Sequence, residues 1–337
     1  MSASAAIASV PPTLFLTDDD VSQLHSWKDA IDALRAAYAA PVEQQMVPPR
    51  SMARGNGIWL RTLSAISPSG GHLGSKLISA SPRAGCASYL ISLFDEQTMA
   101  LSALIDGNQI TAIRTAATAA IAVDALAPRR ALRVAVIGSG FEARSQLNAL
   151  HAARSLQSVS VFSPTPASRE RFAADFRHRA GIDISAAPSA ETAVKGVDVV
   201  ICAARSRDES PVLRGEWLEP GMCVVSIGST LPEQREVDVD VIARAGLIVA
   251  DMVEEVAHDT GDMIAAHRAG IRFADKLHGL DDLIGGRLAP RPSGEIALYK
   301  SVGSALQDVV TAEMLLRRAR ESGKGSMLPV SITPVRK

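Results

Sequence analysis

The chain contains 337 residues, of which 47% are hydrophobic and 4% aromatic, and this length predicts two domains with aliphatic cores. Its 35 Lys and Arg residues nearly balance its 36 Asp and Glu residues, so the charge gives no indication of a nucleic-acid or acidic-membrane partner. Three scattered cysteines predict reduced thiols. No secretory leader pattern and no long apolar run is visible, which predicts a cytoplasmic protein that does not span a membrane.

The first predicted elements are a short strand at TLFLT and two helices. Thr17 is expected to cap the first helix, whose opening turn carries Asp18–Asp20. Carboxylates at a helix start complement the helix dipole, so we interpret these acids as structural and not as catalytic. The second helix is predicted to begin at Ser26.

An extended stretch opens at Pro-Pro-Arg50, and a glycine-rich turn then leads Lys76 into a strand. The neighbours of Lys76 are small and apolar, which would desolvate its ammonium group and lower its pKa. Such a lysine is suited to proton transfer or to binding a carboxylate. Residue type alone favours a simpler arrangement, in which the side chain reaches solvent from the end of a strand.

A β-hairpin is predicted for SYLISLFDEQTMALSALID, with its turn at Asp95–Thr98. A helix of small residues is then predicted to start at Thr111 and to carry Arg114 in its first turn. A cation at that position opposes the helix dipole, so it needs an anionic partner. A substrate carboxylate would suit the guanidinium group, and a structural Arg–Asp pair is an equally good explanation.

The stretch LRVAVIGSGFEA has the G-x-G-x-x-A form of a dinucleotide-binding fingerprint, between a predicted strand and a predicted helix. In that motif Gly138 permits a tight turn, Gly140 lets the backbone approach a pyrophosphate, and Ala143 allows close helix packing. The N–H groups at the start of the helix bind the phosphate charge. We therefore expect the cofactor to contact the whole loop, which consists of Gly138, Ser139, Gly140, Phe141, Glu142 and Ala143.

Strand-like segments follow one another at regular intervals from this point. They are LRVAVIG, SVSVFS, IDISAA, VDVVICAA, MCVVSIGS and GLIVAD. Predicted helices separate most of them, so the fold class is α/β with a doubly wound parallel sheet. A helix with one apolar face, starting at about Ser304, closes the chain.

The type of cofactor can be predicted from the end of the second strand of this sheet. NAD-selective domains place an acid there to bind the ribose 2′-hydroxyl, and this chain has none. Ser163, Thr165 and Arg169 could instead accept a 2′-phosphate, so NADP(H) is preferred and NAD(H) stays possible. The loops after the fourth and fifth strands are expected to contact the cofactor through Ala203 and Ser229.

Several segments together resemble the ornithine cyclodeaminase/mu-crystallin family. They are PPR at Arg50, GSK at Lys76, TAIRTAATAA around Arg114, VIGSGFEARSQ, the stretch from PVL to Met222, GSTLPEQREVD and LYKSVGSALQD. The resemblance implies a central Rossmann domain at 128–295 and an α+β domain at 1–127 and 296–337 that binds substrate and dimerises. It also implies a homodimer and a small amino or imino acid bound between the domains.

By position, Arg50, Lys76 and Arg114 match family residues that hold the substrate carboxylate, and Lys76 is also the family's candidate for proton transfer. Cyclodeaminases carry an aspartate in a G-x-D-x-P-G-K-x-E pattern, whereas this chain has Thr230 at that position. A hydroxyl cannot act as that base at neutral pH. The resemblance therefore implies NAD(P)H-dependent reduction of a 2-imino acid, or the reverse amino-acid dehydrogenation, with Thr230 among the substrate-binding residues.

Three alternatives stay open. A cyclodeaminase-type lyase would keep NAD bound and release ammonia from a diamino acid, and a mu-crystallin-type protein would bind NADPH and a small ligand without catalysis. A metal hydrolase is disfavoured because the seven histidines show no ligand spacing, so no metal is predicted. One further cation, Arg61, would favour a second substrate carboxylate if its side chain faced the site.

Overall fold

Residues 12–206, 208–292, 294–329, 332 and 334–335 are described by the computed structural model. They divide into two compact units. The first unit consists of the described residues within Met1–Ala37, Pro41–Arg114 and Ser304–Lys337. The second unit consists of the described residues within Tyr38–Ala40 and Thr115–Gly303.

The strands and helices are numbered here in chain order. The strands are β1 (Leu14–Leu16), β2 (Ser51–Gly55), β3 (Ile58–Ile66), β4 (His72–Ser81), β5 (Cys86–Asp95), β6 (Leu101–Asp106), β7 (Leu132–Ile137), β8 (Leu156–Phe162), β9 (Ile184–Ala186), β10 (Val199–Cys202), β11 (Cys223–Ser226), β12 (Ala245–Ala250), β13 (Leu277–Gly279), β14 (Ile296–Lys300) and β15 (Ser326–Met327). The helices are α1 (Asp18–Leu24), α2 (Trp27–Ala39), α3 (Asn108–Leu126), α4 (Phe141–Ala153), α5 (Pro166–Ala180), α6 (Ala190–Val194), α7 (Val239–Arg244), α8 (Val253–Asp259), α9 (Gly261–Arg268), α10 (Leu280–Ile284) and α11 (Ala305–Ser322).

A seven-stranded mixed sheet forms the centre of the first unit, in the order β15-β1-β6-β5-β4-β3-β2. In this sheet β1 and β6 run parallel and the other neighbouring strands run antiparallel. Helix α11 packs on β3, β4 and β5. The packing is close at Gly74, where a Cβ atom would lie 2.4 Å from the carbonyl oxygen of Ser92 and 3.2 Å from Val309 Cγ2. The apolar face predicted for this helix is confirmed, since its members are all buried: Leu306, Val309, Val310 and Met314.

Capping contacts set the helix starts of this unit. Thr17 accepts a hydrogen bond from the Asp20 amide (3.2 Å), and the Asp20 carboxylate accepts one from the Thr17 amide (3.0 Å), which confirms the structural role of the acidic turn. Helix α3 begins at Asn108, about one turn earlier than predicted, because Asp106 Oδ1 accepts a hydrogen bond from the Asn108 amide (2.9 Å). The prediction that Arg114 lies in the first turn is therefore wrong, since Arg114 lies in the second.

The second unit is built on an eight-stranded sheet in the order β13-β12-β14-β11-β10-β7-β8-β9. All neighbouring strands run parallel, which confirms the predicted doubly wound α/β fold. The chain moves from β7 to β8 and β9 on one side, and then returns to β10 and β11 on the other. The strand order therefore reverses between β7 and β10. Parallel sheets of this kind bind ligands at the point of reversal, at the carboxyl ends of the strands.

Two strands of this sheet, β13 and β14, are absent from the prediction. Strand β14 is fully buried between β11 and β12, so Ile296–Lys300 belongs to the parallel sheet. The division of the chain accordingly falls after Gly303 rather than at the predicted 295/296. The other division falls after Arg114, inside α3, and differs from the predicted 127/128 because the first turns of that helix pack with the first unit.

Candidate active site

Lys76 lies in the middle of β4, between Leu63 of β3 and Ile91 of β5. Its side chain is only 1% exposed, so the alternative of a lysine that reaches solvent is wrong. The Nζ atom donates hydrogen bonds to Thr111 Oγ1 (2.8 Å) and to Asp308 Oδ1 (3.0 Å). These bonds use two of the three N–H donors of the ammonium group, so one donor is left for a bound molecule.

Asp308 of α11 joins Lys76 to Arg114. Its Oδ1 atom also accepts a hydrogen bond from Arg114 Nε (3.1 Å), while Arg114 Nη1 donates to Gln307 Oε1 (2.9 Å). Asp308 is fully buried, so its charge acts on both cations in a medium that screens it little. The Arg–Asp pair considered from the sequence therefore exists, and it holds the guanidinium group beside Lys76. Asp308 is absent from the residues predicted from the sequence. The signal that could have identified it is an acidic residue on an otherwise apolar helix face.

The charges around Lys76 set its pKa. The pKa falls to about 8, chiefly because burial disfavours the charged form; Asp308 opposes this shift, and the positive charges of Arg114 and Arg50 add to it. An amine with a pKa near 8 is mostly protonated at neutral pH and can still exchange its proton. Because Arg50 and Arg114 both act on Lys76, the structure brings the three predicted carboxylate-binding residues together.

Arg61 lies on β3, opposite Ile78 of β4. Residues paired across neighbouring strands share a face, and side chains alternate along a strand, so Arg61 faces the same side of the sheet as Lys76. Arg61 is 8% exposed, and its guanidinium carbon lies 5.1 Å from the centre of the Trp59 ring. Its orientation, left open by the sequence, is therefore toward the face that carries the cation cluster.

In the second unit, the fingerprint turn has the conformation that its glycines permit. Gly138 has a φ angle of 121°, and a Cβ atom there would lie 2.6 Å from the carbonyl oxygen of Ala203, so only glycine fits. Gly140 precedes α4 as its N-cap, and a Cβ atom on it would meet no described atom within 4 Å. Its backbone is therefore open to a ligand. Ala143 is fully buried, as close packing of α4 requires.

The end of β8 lies beside this turn. Ser139 and Ser163 share a hydroxyl–hydroxyl hydrogen bond of 2.9 Å. Arg169 Nη1 donates to the carbonyl oxygen of Ser163 (3.0 Å), and its guanidinium carbon lies 5.5 Å from the centre of the Phe162 ring. Thr165 is the N-cap residue of α5. Hydroxyl groups and a cation thus occupy the position where an NAD-selective domain has a carboxylate.

These residues fit a dinucleotide cofactor. Helix α4 is 13 residues long, and the N–H groups of its first turn have no acceptor inside the helix, which makes its start a phosphate-binding site. The turn passes close to Ala203 at Gly138, and its backbone is open at Gly140. A bound pyrophosphate requires both features. Ser139 and Ser163 bring hydroxyl groups to the same turn.

A buried carboxylate holds the loops that follow β10 and β11. Glu236 accepts hydrogen bonds from the Ala204 amide (3.2 Å), the Gly228 amide (2.8 Å) and the Ser226 hydroxyl (2.6 Å). Burial raises the pKa of Glu236 to about 7, although the positive charge of Lys300 and these hydrogen bonds oppose the shift. The carboxylate therefore fixes both loops at the carboxyl edge of the sheet, including the one that contacts the fingerprint turn.

Lys300, at the end of β14, is the cation of the same network and is fully buried. Its Nζ atom donates to the Ser226 hydroxyl (3.0 Å) and to the carbonyl oxygen of Ser229 (3.1 Å), and it lies 3.0 Å from Asp262 Oδ2. Asp262 Oδ1 in turn accepts a hydrogen bond from the Glu236 amide (2.9 Å). Sequence reasoning missed this network, because its members are distant in the chain and belong to no motif that it recognised.

Thr230 is half-buried in the loop after β11. Its amide and its hydroxyl both donate to Gln234 Oε1, at 3.0 Å and 3.2 Å. The Ser229 hydroxyl donates to the carbonyl oxygen of Gln234 (2.6 Å), and the Gln234 amide donates to the carbonyl oxygen of Leu231 (3.0 Å). The loop is therefore closed on itself and presents Thr230 in one orientation.

Three further features would indicate other kinds of site, namely a metal-ligand cluster, a membrane-spanning helix and a reactive thiol. Among the residues that the structure describes, no group of three or more His, Cys, Asp or Glu side chains could hold a metal ion. Within the same residues no helix is long and apolar enough to cross a membrane. Of the cysteines, Cys202 and Cys223 are buried, and burial raises the pKa of the Cys223 thiol to about 12. These two thiols are therefore not reactive nucleophiles.

The curated proteins that are similar in sequence to this chain include two reductases. It is 30% identical over 241 residues to a Delta(1)-pyrroline-2-carboxylate reductase of Bacillus cereus, covering 71% of this chain and 73% of that protein. It is 31% identical over 225 residues to the ketimine reductase mu-crystallin of Mus musculus, covering 67% of each chain. The matched segments thus extend over most of each protein.

The solved structures that resemble the fold include the following two. Delta(1)-pyrroline-2-carboxylate reductase of Thermococcus litoralis, in complex with NADH and L-proline, has a TM-score of 0.85 at 27% identity, covering 94% of this chain and 100% of that one. An archaeal alanine dehydrogenase dimer with bound NAD has a TM-score of 0.84 at 27% identity, covering 94% and 99%. The family model described as ornithine cyclodeaminase/mu-crystallin matches residues 12–323. The resemblance seen in the sequence motifs is thereby confirmed, and the chain belongs to the ornithine cyclodeaminase/mu-crystallin family.

Proposed function

We propose that this chain catalyses the NAD(P)H-dependent reduction of a small 2-imino acid to the amino acid, or the reverse reaction. The observation that carries the proposal is the buried cluster in which Asp308 holds Lys76 and Arg114. The relatives support the same chemistry, since they include a pyrroline-2-carboxylate reductase and a ketimine reductase. Together these features favour an enzyme of the oxidoreductase class.

Arg50, Lys76 and Arg114 are proposed to bind the substrate carboxylate. A guanidinium group forms paired hydrogen bonds with a carboxylate, and Lys76 has one donor that neither Thr111 nor Asp308 accepts. With a pKa of about 8, Lys76 is also suited to exchange the proton of the substrate nitrogen. Fixing the carboxylate orients the neighbouring imine carbon, and such positioning supplies a large share of the acceleration.

The second unit is proposed to hold the cofactor, and a bound reduced nicotinamide supplies hydride. The turn from Gly138 to Gly140 and the start of α4 would bind the pyrophosphate. The structural relatives contain NADH or NAD, so a preference for NADPH is proposed for this chain alone. The residues that favour NADPH are Ser163, Thr165 and Arg169, and those proposed to contact the rest of the cofactor are Phe141, Glu142, Ala143, Ala203 and Ser229.

A homodimer is part of the proposal, supported by the dimer of the archaeal alanine dehydrogenase. In the first unit, strands β3 and β5 expose large apolar side chains on the sheet face opposite to that of Lys76, namely Ile58, Leu60 and Leu90. A continuous set of exposed apolar residues is typical of a contact surface. We therefore propose these strands as the contact between the two subunits.

Two alternatives are less well supported. A cyclodeaminase-type lyase needs a carboxylate where this chain has Thr230, and the hydroxyl of Thr230 is already bonded to Gln234. A protein that only binds a small ligand has no use for a buried lysine with a lowered pKa. Thr230 and the buried Lys76 are thus better explained by reduction of an imine.

The test is oxidation of NADPH and NADH with a panel of cyclic 2-imino acids, and of 2-oxo acids supplied with ammonia or methylamine. The proposal predicts oxidation with at least one imine, and loss of turnover in Lys76→Ala with NADPH binding largely kept. Release of ammonia from ornithine without net oxidation of cofactor would establish the lyase instead. Cofactor binding without turnover of any compound would favour the binding protein.

A further inference from the structure

We propose that Glu236 is a positioning residue for the dinucleotide, because its ionised carboxylate holds the loop after β10 against the fingerprint turn. Uptake of a proton by this carboxylate loosens the loop and weakens binding of the cofactor. This role rests on the proposed function, in which the second unit binds the dinucleotide, and it makes that binding depend on pH. Glu236 acts through the loop, since the turn itself is the part that contacts a pyrophosphate in such folds.

Both oxygens of the Glu236 side chain accept hydrogen bonds from backbone N–H groups. Oε1 accepts from the Ala204 amide (3.2 Å), and Oε2 accepts from the Gly228 amide (2.8 Å) and from the Ser226 hydroxyl (2.6 Å). A backbone N–H can only donate, so neither amide can bond to an atom that presents a proton to it. Bonds to an ionised acceptor are also about twice as strong as bonds to a neutral one. Only the ionised carboxylate therefore holds both loops at full strength.

The backbone of Glu236 is fixed, so its side chain reaches the two loops from a constant position. Its amide donates to Asp262 Oδ1 (2.9 Å), and its carbonyl oxygen accepts from the Val212 amide (2.8 Å). Gly228 packs directly on the carboxylate, since a Cβ atom there would lie 2.4 Å from Glu236 Oε1. A change in the charge of Glu236 is therefore expressed at the loops and not in its own backbone.

The loop after β10 carries this hold to the fingerprint turn. The carbonyl oxygen of Ala203 lies 2.6 Å, and the Cβ atom of Ala204 3.2 Å, from where a Cβ atom on Gly138 would be. The Ala203 amide also donates to the carbonyl oxygen of Ile137, the residue before the turn (2.9 Å). A pyrophosphate needs the N–H groups of the turn and of the following helix start in one orientation. A shift of Ala203 and Ala204 would therefore lower the affinity for the cofactor.

Several charged or titratable groups face the carboxylate of Glu236. They are Lys300 of β14, Asp262 of α9 and Cys202 of β10, and Arg235 beside it donates from Nε to Asp262 Oδ1 (3.3 Å). Burial raises the pKa of the Cys202 thiol well above its usual range, so this thiol stays neutral near pH 7. Burial also raises the pKa of Glu236 to about 7, against the opposing charge of Lys300. The carboxylate is therefore ionised above about pH 7 and protonated below it.

The dissociation constant of NADH, measured by fluorescence titration at several pH values, tests this role. NADH is the probe because the 2′-phosphate of NADPH has a pKa of its own, about 6. Binding should be tightest at about pH 8, where Glu236 is ionised, and about fivefold weaker at about pH 6. The profile of the wild type needs no variant, so it tests the role even where a substitution prevents folding.

Glu236→Gln replaces the carboxylate by a neutral amide of the same size. Its NH2 group must face the amide of either Ala204 or Gly228, and two donors cannot bond to each other. The variant should bind NADH about tenfold more weakly than the wild type at about pH 8, the effect of losing one charge-assisted hydrogen bond. It should show no further weakening at about pH 6, because the group that titrates is gone. Glu216→Gln, the same change at an exposed site of the second unit, should keep the wild-type profile.

Ser226→Ala gives a result that a purely structural role of Glu236 does not predict. The carboxylate is kept, but a hydrogen bond to its charged form is removed, which raises the pKa of Glu236 further. The loss of NADH affinity should therefore begin at a higher pH than in the wild type. An unshifted profile in this variant would assign the pH dependence to another group.

Hydrogen exchange of the cofactor-free proteins, followed by mass spectrometry, needs neither cofactor nor turnover. At about pH 8 the segments that contain Ala204 and Gly228 should exchange faster in Glu236→Gln than in the wild type, because one of these amides has lost its acceptor. The exchange of β12 (Ala245–Ala250) should stay unchanged. Equally faster exchange throughout the second unit would show a general loss of stability and would overturn the positioning role.

Two binding results would also overturn it. One is a wild-type affinity for NADH that is the same at about pH 6 and about pH 8, and the other is an equal fall in Glu236→Gln and in the wild type. Either result leaves the proposed function standing. If the wild type binds neither NADH nor NADPH at any pH, the proposed function is wrong and this role of Glu236 falls with it.

Discussion

The dependence of Lys76 on Asp308 gives the most direct prediction about the cation cluster. Asp308→Asn keeps the size of the side chain and removes a negative charge 3.0 Å from Lys76 Nζ. An opposite charge at this range shifts a pKa by about 1 to 3. The pKa of Lys76, now about 8, should therefore fall by about 2 in the variant. At pH 7 the protonated fraction of Lys76 would then change from about 90% to about 10%.

The assay is the pH dependence of kcat/KM for the imino acid at saturating cofactor. The proposed binding of the substrate carboxylate requires protonated Lys76, so the activity should be present below the pKa and should be lost as the pH rises through it. The wild-type profile should fall near pH 8, and that of Asp308→Asn should fall at least about one pH unit lower. Asp32→Asn, an identical change at a largely exposed site of α2, should leave the profile unchanged.

One result would refute this reasoning. Suppose that Asp308→Asn folds and binds NADPH as the wild type does. If its kcat/KM then falls at the same pH as that of the wild type, Asp308 does not control the protonation of Lys76. A lower kcat at all pH values with no shift would assign Asp308 a purely structural role.

Three further predictions concern the second unit. Arg169→Ala should weaken binding of NADPH by about tenfold or more and leave binding of NADH unaffected, because it removes the proposed charge-assisted partner of the 2′-phosphate. Both affinities are measured by fluorescence titration, and equal effects on the two cofactors would contradict this assignment. Gly138→Ala should abolish cofactor binding in the same titrations, since its φ angle of 121° and the contact with Ala203 both exclude a Cβ atom. Lys300→Met should lower the free energy of unfolding in urea by about 3 to 5 kcal/mol, because it leaves buried carboxylates without their cation; a loss below about 1 kcal/mol would show that the network is not held by its charge.

The parallel sheet could be predicted because its strands are short apolar runs separated by helices. The fingerprint could be placed for the same reason, since the strand before it and the helix after it both carry strong local signals. Strand β14 has five buried residues after a segment rich in glycine and proline, and such a run does not show by itself which sheet it joins. The boundary of the second unit depends on that pairing, and for this reason it differs from the predicted one.

The sequence predicted those site residues whose type seldom has a purely structural role in such surroundings. A lysine among small apolar residues and an arginine in a helix of alanines both suggest a partner, and Lys76 and Arg114 do lie together. Asp308 could not be assigned, because its role depends on a contact across 232 positions of the chain. The Glu236–Lys300 network and the bond between Thr230 and Gln234 depend likewise on loop geometry, which local propensity does not encode.

The central claim is that the protein consumes a reduced nicotinamide cofactor to convert an imine into an amine. The most direct measurement is the stoichiometry of that conversion, with NADPH oxidation followed by absorbance and the amino acid quantified in the same sample. With Delta(1)-pyrroline-2-carboxylate or another cyclic 2-imino acid, the account predicts one amino acid formed for each NADPH oxidised. Formation of a cyclic amino acid and ammonia from a diamino acid, with no net change in NADPH, would contradict it.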